Sequence, residues 1–144
     1  MHKRRHCEKL RDAERAEIFV ADLLARAGWE VLARNYRRIG CELDVVVAKG
    51  KTLAIVEVKL RRKVSLINSY QCFLTLQKRR ALERGARIFI SDSNKSWDHI
   101  RFDLAVVCLQ GAAGLAYLNG NNLIERCGLR LYRYFVDVPV ISDR

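Results

Sequence analysis

Two apolar runs separated by a short turn signal set the strongest limit on the fold of this chain. Leu43 to Ala48 and Thr52 to Lys59 are rich in β-branched residues, and Lys49-Gly50 lies between them. Runs of this length and composition are typical of strands, and a glycine in so short a connection is typical of a hairpin. The centre of the sequence therefore predicts an antiparallel strand pair that other elements must cover.

The flanking sequence predicts helices and further strands around this hairpin. Residues 8–27 have helical apolar spacing and end before Gly28, and residues 72–84 have a second helical pattern. The order helix, three strands, helix, strand predicts an α/β fold with a short mixed sheet. Residues 60–70 and 92–100 have the composition of loops. The predicted strands outside the hairpin are 29–32, 101–109, 115–118 and 129–136.

Size and charge narrow the class of protein. A chain of 144 residues suits a single domain, with a core at about 8–110, a basic tip at 1–7 and a tail at 111–144. The net charge is +11, and +10 of it lies in the first hundred residues. Such a basic domain is expected to bind a polyanion, either nucleic acid or an anionic membrane surface.

The membrane alternatives find no support in the sequence. No apolar run approaches the roughly twenty residues of a spanning helix, and no segment sets a basic face against a wide Trp/Leu face. The basic N-terminus has no apolar signal core after it, so we expect a cytoplasmic protein. Nucleic acid is therefore the expected partner.

The five cysteines do not indicate a disulfide framework or a zinc site. Their number is odd, and no two of them form a C-x-x-C pair.

Charged residues interrupt the two central strands. Glu42 and Asp44 lie in the first, and Glu57 and Lys59 lie in the second, all beside apolar neighbours. Charged side chains are rarely buried unless they are paired or bind a metal. These four residues are therefore the first candidates for a functional site.

Strand geometry predicts that the four charged side chains share one face of the sheet. If Lys49-Gly50 forms a two-residue turn, Asp44 faces Ile55 and Glu42 faces Glu57. Directly opposite residues, and residues two apart in a strand, point to the same side. An odd loop length would separate Asp44 from Glu57 and break the site.

Several carboxylates on one face repel each other unless a cation lies among them. Oxygen ligands of this kind suit Mg²⁺ or Mn²⁺. A lysine beside such a site can hold an attacking water or neutralise charge that builds on a phosphate. The alternative is an exposed sheet face with an ion pair between Glu57 and Lys59.

Glu17 in the first helix is a further candidate. Its helical neighbours include Val20, Ala21 and Leu24, so this glutamate lies in an apolar stripe that faces the sheet. The alternative is a glutamate at the border of the helix that pairs with a nearby arginine.

Three basic clusters flank the acidic residues in sequence, as phosphate contacts would. No segment has the pattern of a base-reading recognition helix, so binding that depends on nucleic-acid structure is favoured over sequence-specific binding. The alternative is a solvated basic surface. The clusters are Arg34, Arg37 and Arg38; Arg61, Arg62 and Lys63; and Lys78, Arg79 and Arg80.

The C-terminal part contributes less. Asp103 is expected to pair with Arg101 or to cap a strand, with a supporting role at the site as the alternative. The aromatic residues Tyr132, Tyr134 and Phe135 are expected to pack on the sheet or on another subunit, which leaves a homodimer open.

An ordered set of motifs over about residues 12–110 connects these observations. The motifs are Glu17 with Gly28, Arg34-Asn35-Tyr36, Glu42-Leu43-Asp44, Val56-Glu57-Val58-Lys59, Lys78-Arg79-Arg80 and Arg101-Phe102-Asp103. In this order and spacing they resemble the YraN-like family of small bacterial proteins. That family is similar to the PD-(D/E)XK nuclease superfamily and distantly resembles archaeal Holliday-junction resolvases.

The resemblance implies a restriction-endonuclease-like αβββαβ fold, with the second helix extended to about residue 91. It also implies roles for five residues. Asp44, Glu57 and the Val58 carbonyl would be metal ligands, Lys59 would lie beside the attacking water, and Glu17 would lie near the metal. The function it implies is a Mg²⁺- or Mn²⁺-dependent endonuclease. DNA is favoured over RNA as its substrate, with branched or junction DNA among the expected forms, and RNA is the alternative. A non-catalytic nucleic-acid-binding protein on the same fold is the alternative.

Overall fold

A computed structural model describes residues 2–62, 70–109 and 129–138 as a five-stranded sheet packed between two long helices. The elements, in chain order, are α1 (His2–Arg26), β1 (Glu30–Arg38), β2 (Cys41–Lys49), β3 (Thr52–Arg61), a 3-10 turn (Tyr70–Cys72), α2 (Leu76–Ser93), β4 (His99–Leu109) and β5 (Leu129–Phe135).

The five strands lie in the sheet in the order in which they occur in the chain. Strands β1, β2 and β3 form an antiparallel meander, β4 pairs with β3 in parallel, and β5 returns antiparallel to β4. A parallel neighbour requires a crossover connection, and α2 lies within it. The mixed sheet and the predicted αβββαβ order are both confirmed.

Each helix covers one face of the sheet. Phe19 and Val20 of α1 pack on one face, and Leu82 and Phe89 of α2 pack on the other. Because both faces are covered, the central strands are apolar almost throughout, as their sequences indicated. In the described residues, neither helix is apolar over a length that could cross a bilayer.

The second helix has a defined start and end. The Lys78 backbone N–H donates a hydrogen bond to the Thr75 hydroxyl at 3.1 Å, and Asn94 ends the helix in the left-handed conformation, with φ +51°. The β-branched stretch Ile88 to Ile90, which alone would suit a strand, lies inside α2. The extension of this helix to about residue 91 is therefore confirmed within two residues.

The ends of other elements differ from their predicted positions. Strand β1 continues to Arg38 rather than ending at Leu32, because its basic second half pairs with β2 down to Cys41. Helix α1 begins at His2 rather than at residue 8. The predicted strand 129–136 is confirmed as β5, and the predicted strand 115–118 lies outside the described residues.

The central hairpin turns one residue later than predicted. Lys49 pairs with Thr52, so the turn consists of Gly50 and Lys51 rather than Lys49 and Gly50. Gly50 has φ +58°. A two-residue hairpin turn readily takes glycine at its first central position, where φ is positive. The pairing is therefore shifted by two residues, and the prediction that Asp44 faces Ile55 is wrong.

A buried carboxylate on β4 accepts hydrogen bonds from β5 and from a residue that follows β5 closely in the chain. Asp103 on β4 is 1% exposed and accepts hydrogen bonds from the Arg101 guanidinium at 3.0 Å, the Tyr134 hydroxyl at 2.7 Å and the Asp137 backbone N–H at 3.0 Å. The expected pairing with Arg101 is confirmed. The aromatic residues of β5 pack on this chain's own sheet.

We expect Asp103→Ala to lower the free energy of unfolding by about 2–4 kcal/mol, because it leaves a buried hydroxyl and a partly buried guanidinium without their acceptor. Chemical denaturation measures the change. Asp98→Ala is the matched control, since Asp98 is exposed and its removal is expected to change stability by less than about 0.5 kcal/mol. Equal effects of the two substitutions would contradict the assignment.

Candidate metal and nucleic-acid site

The candidate site lies where β2 and β3 stop pairing through their backbones. Regular pairing runs from the turn as far as Val45 opposite Val56. Beyond this pair, the Val58 backbone N–H donates a hydrogen bond to Asp44 Oδ2 at 2.8 Å. A side-chain oxygen thus replaces a main-chain acceptor between the strands and brings the Asp44 carboxylate beside Glu57.

Strand β2 also turns over at Asp44. Leu43 packs under α2, but Val45 packs under α1, although residues two apart in a regular strand share a face. On β1, Asn35 lies opposite Asp44 in the left-handed conformation, with φ +50°. Alternation from Leu43 therefore places Glu42 on the α1 side. The prediction that Glu42 shares a face with Glu57 is wrong for this physical reason.

Glu57 is the centre of the charged cluster. Its side chain is almost fully buried, and its Oε1 atom lies 3.0 Å from Lys59 Nζ and 3.3 Å from Lys78 Nζ. Its Oε2 atom is buried and has no hydrogen-bond partner among the described residues. The predicted ion pair between Glu57 and Lys59 is present, but it does not lie on an exposed sheet face, because the Glu57 side chain is buried.

In the part of the chain that the structure describes, Asp44 forms no ion pair comparable to those of Glu57. The pKa of Asp44 is raised to about 8, mainly by burial and to a smaller extent by the negative charge of Glu57. The hydrogen bond from Val58 and the charge of Lys78 act in the opposite direction. In the absence of a cation, the fold therefore favours the protonated form of this carboxyl group.

Glu17 approaches the same cluster from α1. Its side chain is half-buried, and burial raises its pKa to about 7, with further contributions from the charges of Glu42, Glu14 and Glu57. The positive charge of Arg34 lowers the pKa of Glu17, but this effect is smaller than each of the effects that raise it. Glu17 is thus close enough to the site for its charge to be coupled to those of the strand carboxylates.

The residues present fit a divalent cation held by few side chains. Within the described residues, no three His, Cys, Asp or Glu side chains are grouped so that they could hold a metal ion. The two strand carboxylates are nevertheless adjacent, and the buried Oε2 of Glu57 is available as a hard oxygen donor. A cation here would be held by Asp44 and Glu57, with main-chain oxygen and water completing its coordination.

Lys78 belongs to this site rather than to the surface cluster in which sequence reasoning placed it. It lies on α2 four residues before Leu82, which is buried against the sheet, as are Ala86 and Phe89 further along. This spacing continues the apolar stripe toward the N-terminus of α2, so Lys78 points at the sheet. The helical spacing of Lys78 from these apolar residues is the sequence signal that would have placed Lys78 at the site.

Basic residues of two predicted clusters are exposed on β1 and at the end of β3. Arg37 and Arg38 share a groove of about 510 Å³ with Lys78, and both are exposed. Arg61 and Arg62 follow Lys59 at the end of β3 and are also exposed.

The remaining basic residues have different settings. Arg34 is exposed on β1, the guanidinium of Arg79 lies 5.9 Å from the ring centre of Tyr70, and Arg80 is exposed on α2. Lys63 lies outside the described residues.

The mixed sheet and the αβββαβ order define a mixed α/β protein of the fold class that the sequence resemblance implies, and the buried carboxylates of Asp44 and Glu57 lie beside the partly exposed Lys59. The comparison with known families agrees. The chain belongs to the family described as "Uncharacterised protein family UPF0102", the YraN-like family, whose family model matches residues 16–107.

Proteins of this family from distant bacteria are similar to the chain. A UPF0102 protein of Nitratidesulfovibrio vulgaris (strain DP4) is 40% identical over 100 residues, which cover 69% of this chain and 73% of the relative. A UPF0102 protein of Nocardia farcinica is 34% identical over 93 residues, which cover 65% and 72%. One of Chloroherpeton thalassium is 30% identical over 96 residues, which cover 67% and 74%.

We expect Asp44→Asn to stabilise the protein in a chelating buffer. An acid whose pKa is higher in the folded than in the unfolded state loses stability as pH rises between the two values, here from about 4 to about 8. The asparagine keeps an acceptor for Val58 and removes this loss, so the variant gains about 1–3 kcal/mol at pH 8 and almost nothing at pH 4. Thermal melting at both pH values measures the difference.

Asp92→Asn is the control for this prediction, because the pKa of exposed Asp92 is lowered by its hydrogen bonds from Tyr36 and Arg38. This variant is not expected to gain stability at pH 8. If Asp44→Asn melts no higher than the wild type at pH 8, ionisation of the Asp44 carboxyl does not destabilise the fold.

Proposed function

We propose that this protein is a Mg²⁺- or Mn²⁺-dependent endonuclease that hydrolyses phosphodiester bonds in DNA. The observation that carries the proposal is the convergence of Asp44, Glu57 and Lys59 at the end of the β2–β3 ladder, with one buried carboxylate oxygen left without a hydrogen-bond partner. Membership of a family that resembles the PD-(D/E)XK nucleases supports the same reaction.

Four groups of this chain would bind the cation or lie near it. Asp44 and Glu57 would bind it through their carboxylates, the Val58 carbonyl would add a neutral oxygen, and Glu17 would contribute charge from α1. When bound, the ion supplies Lewis-acid activation of a water and of a phosphate oxygen.

We expect Lys59 to act on the attacking water and on the phosphate. Its side chain is 24% exposed, so the ammonium lies at the boundary between the buried carboxylate and solvent. There it can hold a water for attack on phosphorus and neutralise the negative charge that develops on the phosphate in the transition state.

Lys78 completes the charge balance. In the structure, the ammoniums of Lys59 and Lys78 both neutralise Glu57. If Glu57 were a cation ligand, its charge would be neutralised without Lys78, and the Lys78 ammonium would be available to contact a substrate phosphate. Lys78 would then stabilise either Glu57 or the nucleic-acid backbone.

The exposed basic residues support a nucleic acid as the substrate class. Arg37 and Arg38 share a groove with Lys78, Arg61 and Arg62 follow Lys59 in the chain, and the net charge is +11. Arginines of this kind can contact the phosphates of a nucleic acid without reading its base sequence. A cleavage assay on branched and linear DNA with Mg²⁺ or Mn²⁺ tests the proposal directly.

The first expected outcome concerns the cation. Mn²⁺ titration, followed by calorimetry or electron paramagnetic resonance, is expected to detect a site in the wild type that is lost in Asp44→Ala and in Glu57→Ala. Both variants remove a carboxylate ligand, whereas the control Asp92→Ala removes an exposed one and is expected to bind as the wild type does. Equal affinity in all four proteins would remove the metal hypothesis.

The second expected outcome concerns Lys59 and separates an enzyme from a non-catalytic binder. Lys59→Ala is expected to slow cleavage by about 10²–10³, the usual loss for one electrostatic stabiliser of a transition state, while DNA affinity changes by less than about tenfold. Lys59→Met is the companion variant, because it keeps the packing of the side-chain stem without the charge.

The contrary result is equally specific. A wild type that cleaves no substrate with either metal, together with a Lys59→Ala variant that loses as much affinity as Arg61→Ala, would make Lys59 an ordinary phosphate contact. The protein would then be a nucleic-acid-binding protein without catalytic activity.

A further inference from the structure

The tip of the β1–β2 hairpin carries a wholly exposed isoleucine. Arg38 pairs with Cys41, so Ile39 and Gly40 are the two central residues of the turn. Ile39 is 103% exposed, whereas the next most exposed large apolar residue of the described chain, Val136, is 56% exposed. This side chain is not covered by any of the residues that the structure describes.

The geometry of the turn explains Gly40 but not Ile39. Gly40 has φ +75°, a conformation that favours glycine, and a Cβ placed there would meet no atom within 4 Å. Ile39 has no such conformational requirement, and turns usually carry polar residues or proline at the position before the glycine. A large apolar side chain at this point is therefore not explained by the turn, and its whole surface is accessible to a ligand.

The hairpin holds its tip firmly against α2. The Tyr36 hydroxyl donates a hydrogen bond to Asp92 at 2.6 Å, and Arg38 Nε donates to the same oxygen at 2.9 Å. The Tyr36 ring packs edge-on against Phe89, with 5.1 Å between the ring centres. Ile39 is thus presented from a braced hairpin rather than from a loose loop.

The surroundings of the tip are basic and continuous with the candidate site. Arg37 and Arg38 precede Ile39 directly and line the groove that also contains Lys78 and Glu42. Arg37 pairs with Glu42 and Arg38 with Asp92, and the groove keeps an excess of basic over acidic side chains. Lys78 in turn contacts Glu57 at 3.3 Å. A polyanion whose scissile phosphate lies at Glu57 would therefore run along this groove toward the tip.

We propose that Ile39 is a wedge that enters DNA where base stacking is already interrupted, at a nick, a mismatch or a branch point. The inference rests on the proposed function in taking DNA as the bound polyanion. Apolar side chains that insert between base steps, with basic residues on the adjacent phosphates, are an established means of binding deformed DNA.

This arrangement selects substrates by the cost of unstacking. Inserting a side chain into an intact duplex requires the full loss of one stacking contact, whereas a nick, mismatch or branch point has already lost much of it. The exposed surface of Ile39 is removed from water on insertion in either case. The hairpin therefore favours interrupted DNA without any contact that reads base identity.

The test measures binding in a chelating buffer, so that it does not depend on cleavage. The probes are a three-way junction, a nicked duplex and an intact duplex, each with 2-aminopurine at the central step. The wild type is expected to bind the interrupted probes about tenfold or more tightly than the intact duplex and to raise 2-aminopurine fluorescence on them. Ile39→Ser is expected to lose about tenfold in affinity for the interrupted probes, to change little on the intact duplex, and to lose the fluorescence rise.

Two further variants make the result specific. Ile39→Leu keeps an apolar wedge and is expected to retain the preference. Ile100→Ser removes an exposed isoleucine from β4, which is 44% exposed, and is expected to behave as the wild type does. Both positions are exposed, so the variants are expected to fold, and their melting temperatures verify this.

The outcomes separate the wedge from the nuclease. Ile39-dependent preference in a protein that never cleaves would support the wedge and overturn the nuclease. Cleavage by a protein whose preference and fluorescence signal do not change in Ile39→Ser would do the reverse. If the wild type binds the three probes equally, or binds none of them, the wedge is overturned.

Discussion

The hydrogen bond from the Val58 backbone N–H to Asp44 joins the architecture of the sheet to its chemistry. It continues the β2–β3 ladder by one step with a carboxylate as the acceptor, at 2.8 Å. Strand β2 turns over at the same residue, opposite the left-handed Asn35, and the Asp44 carboxylate is held beside Glu57 rather than on a regular face. The apolar packing of both helices on the strands keeps this exception to regular pairing in place.

The charges at this point are balanced unequally. Glu57 has two ammonium partners, whereas burial and the charge of Glu57 raise the pKa of Asp44. The two neighbouring carboxylates are therefore unequal, because ammonium groups lie beside Glu57 whereas the ionised form of Asp44 is disfavoured by burial and by the charge of Glu57. This acidic pair is set within a chain that is strongly basic overall.

Residue spacing could predict the centre of the site, because strands impose a period of two. The turn was placed one residue too early, which shifted every partner by two, so Asp44 and Glu57 still came together. Glu42 was misplaced because the reversal of β2 opposite Asn35 depends on a local backbone conformation that periodicity does not encode. Lys78 was assigned to the surface because it was grouped with its sequence neighbours instead of with the buried stripe of α2.

The hydrogen bonds of Asp103 have a consequence for how the chain can be shortened. The family match ends at residue 107, yet the partners of this buried carboxylate include Tyr134 and Asp137 from the far end of the described chain. A truncation made at the family boundary would strip β4 of its outer neighbour, leave an apolar strand edge open to association, and leave Asp103 with two of its donors missing. The part shared by the relatives therefore lacks contacts that hold β4 in this protein, and we expect a deletion at the family boundary to lower stability and to favour association through the exposed strand edge.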